Sequence, residues 1–270
     1  MDFTGKVVVV TGSAGGIGRG VAEAFANTGA TVWVLDINPD AASTAAKDIT
    51  DKGLKAFSSS LDVTNEKQVN ELMDKVVQQC GQIDILVNSA GIACHLMMED
   101  LTVDQFRRVV DVNLTGTFIC TQAAARHMKA RSYGKIINII STAATRISFA
   151  AGPEYTASKY AVKGLTKHLG YELAAYGINV NGISPGPVAS EMYMKHADPG
   201  ELKKRTELIP AGRLMTPQDI ADASFFLASD AAAMVSGNVI DVDGGSVLGW
   251  ISHERYVENR KSKIGKKQGS

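Results

Sequence analysis

Short runs that are apolar at nearly every position alternate along the chain with longer segments in which apolar residues recur every three or four positions. The first pattern predicts strands buried on both faces and the second predicts amphipathic helices. Residues 6–11 predict a first strand. Residues 16–28 predict a helix, with Ile17, Val21, Ala24 and Phe25 at core spacing. A second strand follows at 31–35, a helix opened by Pro39 runs to about residue 52, and 54–61 predict a third strand. Residues 65–80 predict a helix with Val69, Leu72, Met73, Val76 and Val77 on one face and Gly81 as its stop. A fourth strand is expected at 83–87.

The alternation continues through the second half. Residues 100–131 predict one or two helices, 135–140 a strand, 155–176 a long helix ended by Gly177, and 179–183 a strand. Residues 188–215 show no clean period. Thr216-Pro217-Gln218-Asp219 opens a helix that ends near Ser229, and 238–242 predict a last strand. Strand following helix throughout implies an α/β fold with a doubly wound parallel sheet of about seven strands and helices on both faces. No linker or composition shift divides residues 1–250, so they are read as one domain. Residues 251–270 form a basic tail, with six Lys or Arg against two Glu, which leaves net −4 on the rest. The tail reads as solvated and partly disordered, with Trp250, Ile251 and Tyr256 available to pack its first part.

Composition narrows the class. A chain of 270 residues buries about 70% of its unfolded surface, enough for a full core. Lys plus Arg equals Asp plus Glu at 28 each, so no overall basicity points to a nucleic-acid partner. No uncharged apolar stretch is long enough to predict a membrane span, and the first residues do not read as a signal peptide. Cys80, Cys94 and Cys120 are odd in number and lack a C-x-x-C pair, which predicts reduced thiols rather than disulfides or a zinc site. His127 and His168 lack partners at ligand spacing, and no metal is expected. A cytoplasmic location is expected.

The candidate chemistry lies at the strand ends. Thr11-Gly12-Ser13-Ala14-Gly15-Gly16-Ile17-Gly18 joins the first strand to the first helix. Such a turn lets backbone amides approach a phosphate, and the helix N-terminus adds aligned N–H groups. Asp36 ends the second strand, eighteen residues after Gly18. An acid there can accept both ribose hydroxyls of NAD and would repel the 2′-phosphate of NADP; the plainer alternative is a turn cap. Tyr155 and Lys159 stand at i and i+4, on one helix face. A neighbouring ammonium is expected to lower the phenol's pKa, so that tyrosine can exchange a proton with an alcohol or ketone. Alone, that spacing occurs by chance in many helices.

It is accompanied by Asp62-Val63, Asn88-Ser89-Ala90-Gly91, Asn113, Ser141 and Pro185-Gly186, in fixed order. The set resembles the short-chain dehydrogenase/reductase superfamily in its roughly 250-residue branch, over residues 3 to about 246. The resemblance implies a single-domain Rossmann fold. It also implies that Gly12, Ser13, Gly16, Ile17 and Gly18 form the pyrophosphate turn, that Asp62 and Val63 contact adenine, and that Asn88, Ala90 and Gly91 run beside the cofactor. Pro185, Gly186, Val188 and Ser190 would flank the nicotinamide. Tyr155 would be the general acid/base, Ser141 the orienting hydroxyl, Lys159 the residue that holds ribose and tunes the tyrosine, and Asn113 the holder of a relay water. Three positions depart from the pattern. Ser89 stands where asparagine is usual, Ser190 where threonine is usual, and Ser141 precedes Tyr155 by fourteen residues, one more than is commonest, which predicts a longer loop over 142–154.

The expected substrate walls are the 92–98 loop, the 142–154 loop and a lid at 188–215 that carries Met192, Tyr193, Met194, Lys195 and His196. His95, Arg146 and Glu154 are the polar candidates for reading substrate, and Ser141 is preferred to Thr142 as the orienting hydroxyl. These features predict an NAD-dependent oxidoreductase acting on a small-molecule secondary alcohol of polyol, sugar or hydroxyacyl type. The rivals are an NADPH-dependent 3-oxoacyl-thioester reductase and a non-catalytic nucleotide-binding scaffold. The resemblance further implies a homotetramer built through the long helices around 111–131 and 155–176.

Overall fold

The structure is a computed structural model and describes residues 1–189, 198–249 and 251–267. Among these, seven parallel strands form one sheet in the order β3-β2-β1-β4-β5-β6-β7. The strands are β1 Val7–Thr11, β2 Thr31–Asp36, β3 Ala56–Ser60, β4 Ile85–Asn88, β5 Gly134–Ile139, β6 Ile178–Pro185 and β7 Val239–Val242. β1 pairs in parallel with both β2 and β4. The strand order therefore reverses direction between β1 and β4, where open α/β sheets form their ligand crevice.

The strands are legible because the central ones are buried on both faces. Val8 and Val10 of β1 join one core layer with Phe25, Val32, Val34 and Ile137. Val7 and Val9 join the opposite layer with Trp33, Leu86, Met128 and Ile136. The edge strand β3 is half-buried and shorter than its apolar run predicts. β6 extends to Pro185, two residues beyond expectation, and so carries the chain to the site.

The helices are α1 Gly16–Asn27, α2 Pro39–Thr50, α3 Glu66–Cys80, α4 Val103–Val110, α5 Gly116–Arg131, α6 Pro153–Ala174, α7 Pro199–Glu207, α8 Pro217–Ala228 and α9 His253–Lys267. Local chemistry fixes their ends. Asn38 and Asn65 cap α2 and α3 by accepting from the backbone N–H of Ala41 and Gln68. Gly81 stops α3 in the left-handed region at φ 81°. Thr216 and Asp219 make a reciprocal capping box at the start of α8.

Three elements differ from the sequence reading. Residues 100–131 form α4 and α5 joined by a wide π turn over Asp111–Thr115. Val63 packs closely on the chain there, and a Cβ on Gly116 would come within 2.6 Å of Val63 Cγ2. In the unpatterned 188–215 segment, residues 199–207 form α7, while Ser190 and Met192–His196 lie outside the described residues. The basic tail is helical from His253 to Lys267 rather than disordered. Tyr256 is half-exposed, with the Arg260 guanidinium over its ring.

A buried polar network ties the site's elements together. Asn88 on β4 donates to Thr121 Oγ1 on α5 (3.0 Å) and to Asn138 Oδ1 on β5 (2.9 Å). Asn138 donates in turn to Thr166 Oγ1 on α6 (2.9 Å). Asn138→Ala removes both of these Asn138 contacts and leaves a cavity, so urea unfolding is expected to show a loss of about 2–4 kcal/mol. A loss below about 0.5 kcal/mol, the size of an ordinary surface substitution, would contradict this role.

Candidate active site

The glycine-rich turn follows β1 and faces the segment that follows β4. Thr11 Oγ1 accepts from the backbone N–H of Ser89 (3.1 Å) and Ala90 (3.2 Å). Gly12 has φ 61°, and a Cβ there would come 2.5 Å from Ala90 Cα. No L side chain fits that contact. A Cβ on Gly18 would strike the Gly12 carbonyl oxygen, whereas a Cβ on Gly16 (φ 57°) would meet nothing within 4 Å. The turn is therefore tight beneath and open above. The first N–H groups of α1 have no acceptor within the helix. That combination fits a pyrophosphate. Ile17 is half-buried against the core.

Ser13 does not offer its side chain to this space. It is fully buried, its hydroxyl donates to Val10 O (2.7 Å), and it accepts from Leu35 N–H (3.0 Å). Only its backbone remains with the turn. Asp36 stands beside the turn and accepts from Ala14 N–H (3.1 Å) and Asn38 N–H (3.2 Å). It thus acts as a turn cap while its carboxylate stays partly exposed at the sheet end. Asp62 accepts from both the N–H and the hydroxyl of Thr64, contacts that hold its carboxyl below the usual range. Val63 is buried against Gly116.

α6 starts at Pro153 and presents Tyr155 and Lys159 one turn apart. The Lys159 Nζ lies 5.5 Å from the centre of the Tyr155 ring and donates to Ile139 O at the end of β5 (2.9 Å). Ser141 follows β5, accepts from Ala143 N–H through its hydroxyl (3.1 Å) and lines the same cavity as Tyr155. Burial pushes the Lys159 ammonium down to about 8. Tyr155 is raised above its ordinary value because its own burial outweighs the opposing influence of the Ser141 hydroxyl. This corrects the expected direction: desolvation dominates, and the phenol is not lowered by its lysine in this state.

Asn113 sits inside the π turn and is buried. Its Oδ1 accepts from Ile92 N–H (2.8 Å), and its Nδ2 donates to Ile92 O (3.0 Å) and Ser158 Oγ (3.0 Å). The side chain therefore braces the wall after β4 against α6. A Cβ on Gly91 would lie 3.3 Å from Asn113 Oδ1 and 3.7 Å from Lys159 Nζ, so the three positions converge.

Beside these groups opens a cavity of about 650 Å³, whose lining includes Ser141, Tyr155, Gly91, Pro185 and Gly186. A Cβ on Gly186 would lie 3.1 Å from Asp243 Cα, which fixes this glycine against the chain after β7. Val188 pairs with Met215 in a short parallel bridge. His95 and Arg146 line the cavity as expected. Glu154 does not. It is fully buried, and its Oε1 accepts from Cys94 N–H (2.9 Å), which pins the 92–96 loop to the start of α6. The sequence reading also passed over Ser158 and Thr11 as braces. Ser158 could have been noticed as a polar residue on the α6 face between Tyr155 and Lys159.

A model of the family described as enoyl-(acyl carrier protein) reductase matches residues 12–247. The chain belongs to the short-chain dehydrogenase/reductase superfamily. A D-threitol dehydrogenase of this superfamily from Mycolicibacterium smegmatis is 39% identical over 90% of this chain and 94% of its own length. An NAD-dependent glycerol dehydrogenase from Listeria innocua is 38% identical over 92% and 96%. A short-chain dehydrogenase structure, a gluconate 5-dehydrogenase from Burkholderia cenocepacia in complex with NADP and tartrate, superposes with a TM-score of 0.86. Its identity is 36%, covering 92% of this chain and 98% of that one. The chain is thus an oxidoreductase of the short-chain type with a small-molecule substrate.

The buried lysine sets a pH test. Lys159 has a pKa of about 8 when folded against an ordinary 10.5. Between those values the unfolded chain binds more protons at this residue, so stability rises with pH. Relative to Lys159→Met, the wild type is expected to gain about 3 kcal/mol as pH rises through that window. Urea unfolding of both proteins at the two ends of the window measures the gain. A constant difference would show that burial does not burden the ammonium.

Proposed function

We propose that the protein is an NAD(H)-dependent oxidoreductase that interconverts a secondary alcohol and its ketone. The polyol, sugar and hydroxyacyl types are the candidate substrates. The observation that carries this reading is the placement of Ser141 and Tyr155 together on the wall of one cavity, with Lys159 buried one turn behind.

In this reading the turn from Gly12 to Gly18 and the start of α1 hold the pyrophosphate, Asp36 the adenosine ribose, and Asp62 with Val63 the adenine. Asn88, Ala90 and Gly91 line the cofactor's path, Pro185, Gly186, Val188 and Ser190 flank the nicotinamide, and Lys159 holds the nicotinamide ribose. The nicotinamide supplies the hydride acceptor, or donor in reverse, for the carbinol carbon. Tyr155 takes the alcohol proton during oxidation and returns it during reduction, while Ser141 orients the oxygen. The phenol's raised pKa makes alkaline pH favour oxidation. Lys159 and the π turn at Asn113 pass the proton outward. Residues 188–215 form the lid, a role supported by Leu208 and Ile209 on the cavity wall.

NAD is preferred to NADP because the Asp36 carboxylate is held at the turn by two backbone N–H groups, where a 2′-phosphate would meet its charge. The glycerol relative's name includes NAD, whereas the gluconate 5-dehydrogenase structure contains NADP, so Asp36 carries this choice. A homotetramer in the cytoplasm completes the reading. Half-exposed Phe118 and Tyr160 and the open Tyr171 on α5 and α6 support an interface there.

Tyr155→Phe removes the exchanging proton but keeps the ring. Turnover is expected to fall by about a hundredfold or more, with NADH binding retained. Steady-state rates with NADH fluorescence titration check this. Unchanged turnover would exclude Tyr155 as the acid/base, and lost NADH binding would assign it to cofactor binding instead.

A further inference from the structure

The cavity beside Tyr155 has a charge pattern that the oxidoreductase chemistry does not require. Among the described residues its lining holds two arginines, Arg146 and Arg205, and the histidine His95, but no carboxylate. The two arginines lie away from the Gly12–Gly18 turn, none of whose residues lines the cavity, so they do not serve the pyrophosphate.

Arg146 is held in place. It is half-buried, its Nη1 donates to Ser246 O (3.0 Å), and its guanidinium lies 5.3 Å from the centre of the Phe149 ring. The Ser246 carbonyl belongs to a turn knitted by Asp243. That carboxylate accepts from Gly245 N–H (2.9 Å), Ser246 Oγ (3.0 Å) and Val247 N–H (2.7 Å). Among the described residues no carboxylate pairs with Arg146. A guanidinium presents five donors in a planar fork that matches a carboxylate or phosphate. One donor is spent on Ser246, so a fixed cation with spare donors faces the substrate space.

The rest of the wall is largely apolar. Ile147 is 65% exposed and Phe149 80% exposed, and both line the cavity with Ile92, Leu208, Ile209 and Ile251. Part of this space belongs to the nicotinamide in the reading above, since Gly91, Pro185 and Gly186 line it, and a polyol's hydroxyls would lose water against the alkyl and aromatic side chains that make up most of the remainder. An aliphatic body covers those walls, and its charged end matches Arg146.

We propose that the substrate is an apolar hydroxy- or oxo-acyl compound with an anionic group, and that Arg146 is the residue that reads the anion. This rests on the oxidoreductase reading and narrows it to the hydroxyacyl type. The anion is a carboxylate, or the phosphate of a thioester carrier. In reduction, NADH gives a hydride to the ketone carbon, Tyr155 gives a proton to its oxygen, and the anion is unchanged.

The test uses the full chain and the variants Arg146→Met and Arg146→Lys, each checked for a wild-type melting profile and NADH binding. Rates are measured with 3-, 5- and 7-oxooctanoate against their methyl esters, and with 3-oxooctanoyl-CoA against the neutral N-acetylcysteamine thioester. Erythrulose represents the polyols. The wild type is expected to favour at least one charged partner by roughly tenfold or more in kcat/KM. Arg146→Met should reduce that ratio to within about twofold of one, mainly through KM and with little change on the neutral partner, and Arg146→Lys should keep part of it. The pair that responds names the source of the anion.

Equal rates on charged and neutral partners, a preference that survives Arg146→Met, or erythrulose as the best substrate would each overturn the proposal. Calorimetry of octanoate and octanamide binding to the NADH complex separates this from the parent reading. With no turnover on any probe, the oxidoreductase reading loses its support. Octanoate binding weakened by Arg146→Met would then still uphold the anion site, and binding unchanged by the variant would overturn it.

Discussion

Strands β1, β4 and β5 are buried along both faces, and this confines the protein's polar chemistry to their ends. A buried polar side chain on such a strand must find a partner inside the core, as Asn88 and Asn138 do. Groups meant for a ligand have to emerge where the strands stop. At the reversal of strand order those ends come together. Gly12 leaves β1 in contact with Ala90 after β4, and Ser141 leaves β5 opposite α6. The close contact between Gly12 and Ala90 closes the floor of the crevice, and the rest of the site is assembled on that floor.

Burial also governs the chemistry at those ends. Lys159 is held in the interior by one backbone carbonyl, and its ammonium is destabilised accordingly. Tyr155 is raised for the same reason. Both groups are therefore poised away from their solution behaviour by desolvation, with Ser141 opposing it for the phenol. The supports around them are polar and specific. Asn113 and Ser158 join the β4 wall to α6, and Glu154 joins the 92–96 loop to the same helix. Through these contacts α6 locates both the reactive pair and one wall of the substrate space.

Much of this was legible in the chain because two-sided burial writes continuous apolar runs and because turns and caps are local. The elements around Gly12, Pro39, Gly81 and Pro217 fall within a few residues of expectation for that reason. What was not legible depends on contacts distant in sequence. The π turn at Asn113 ends at Gly116, which packs closely on Val63, fifty-odd residues away in the chain. Glu154 looked like a surface reader because nothing local shows that Cys94 N–H waits for it. The direction of the Tyr155 shift depends on how deeply the phenol sits, and Arg146 depends on a carbonyl one hundred residues on. Ser13 matched a turn motif but spends its hydroxyl on the backbone of two strands. The tail's helix carries no core-facing stripe that a pattern could reveal.

The most direct test of the account is nicotinamide absorbance in parallel assays of the purified protein with NAD and NADP, across secondary alcohols of the polyol, sugar and hydroxyacyl types, with the matching ketones run in reverse. The account requires turnover on one of these types, with a higher kcat/KM for NAD than for NADP. Turnover with NADP alone would contradict the role given to Asp36. Tight NADH binding without turnover on any type would contradict the catalytic reading of Ser141, Tyr155 and Lys159.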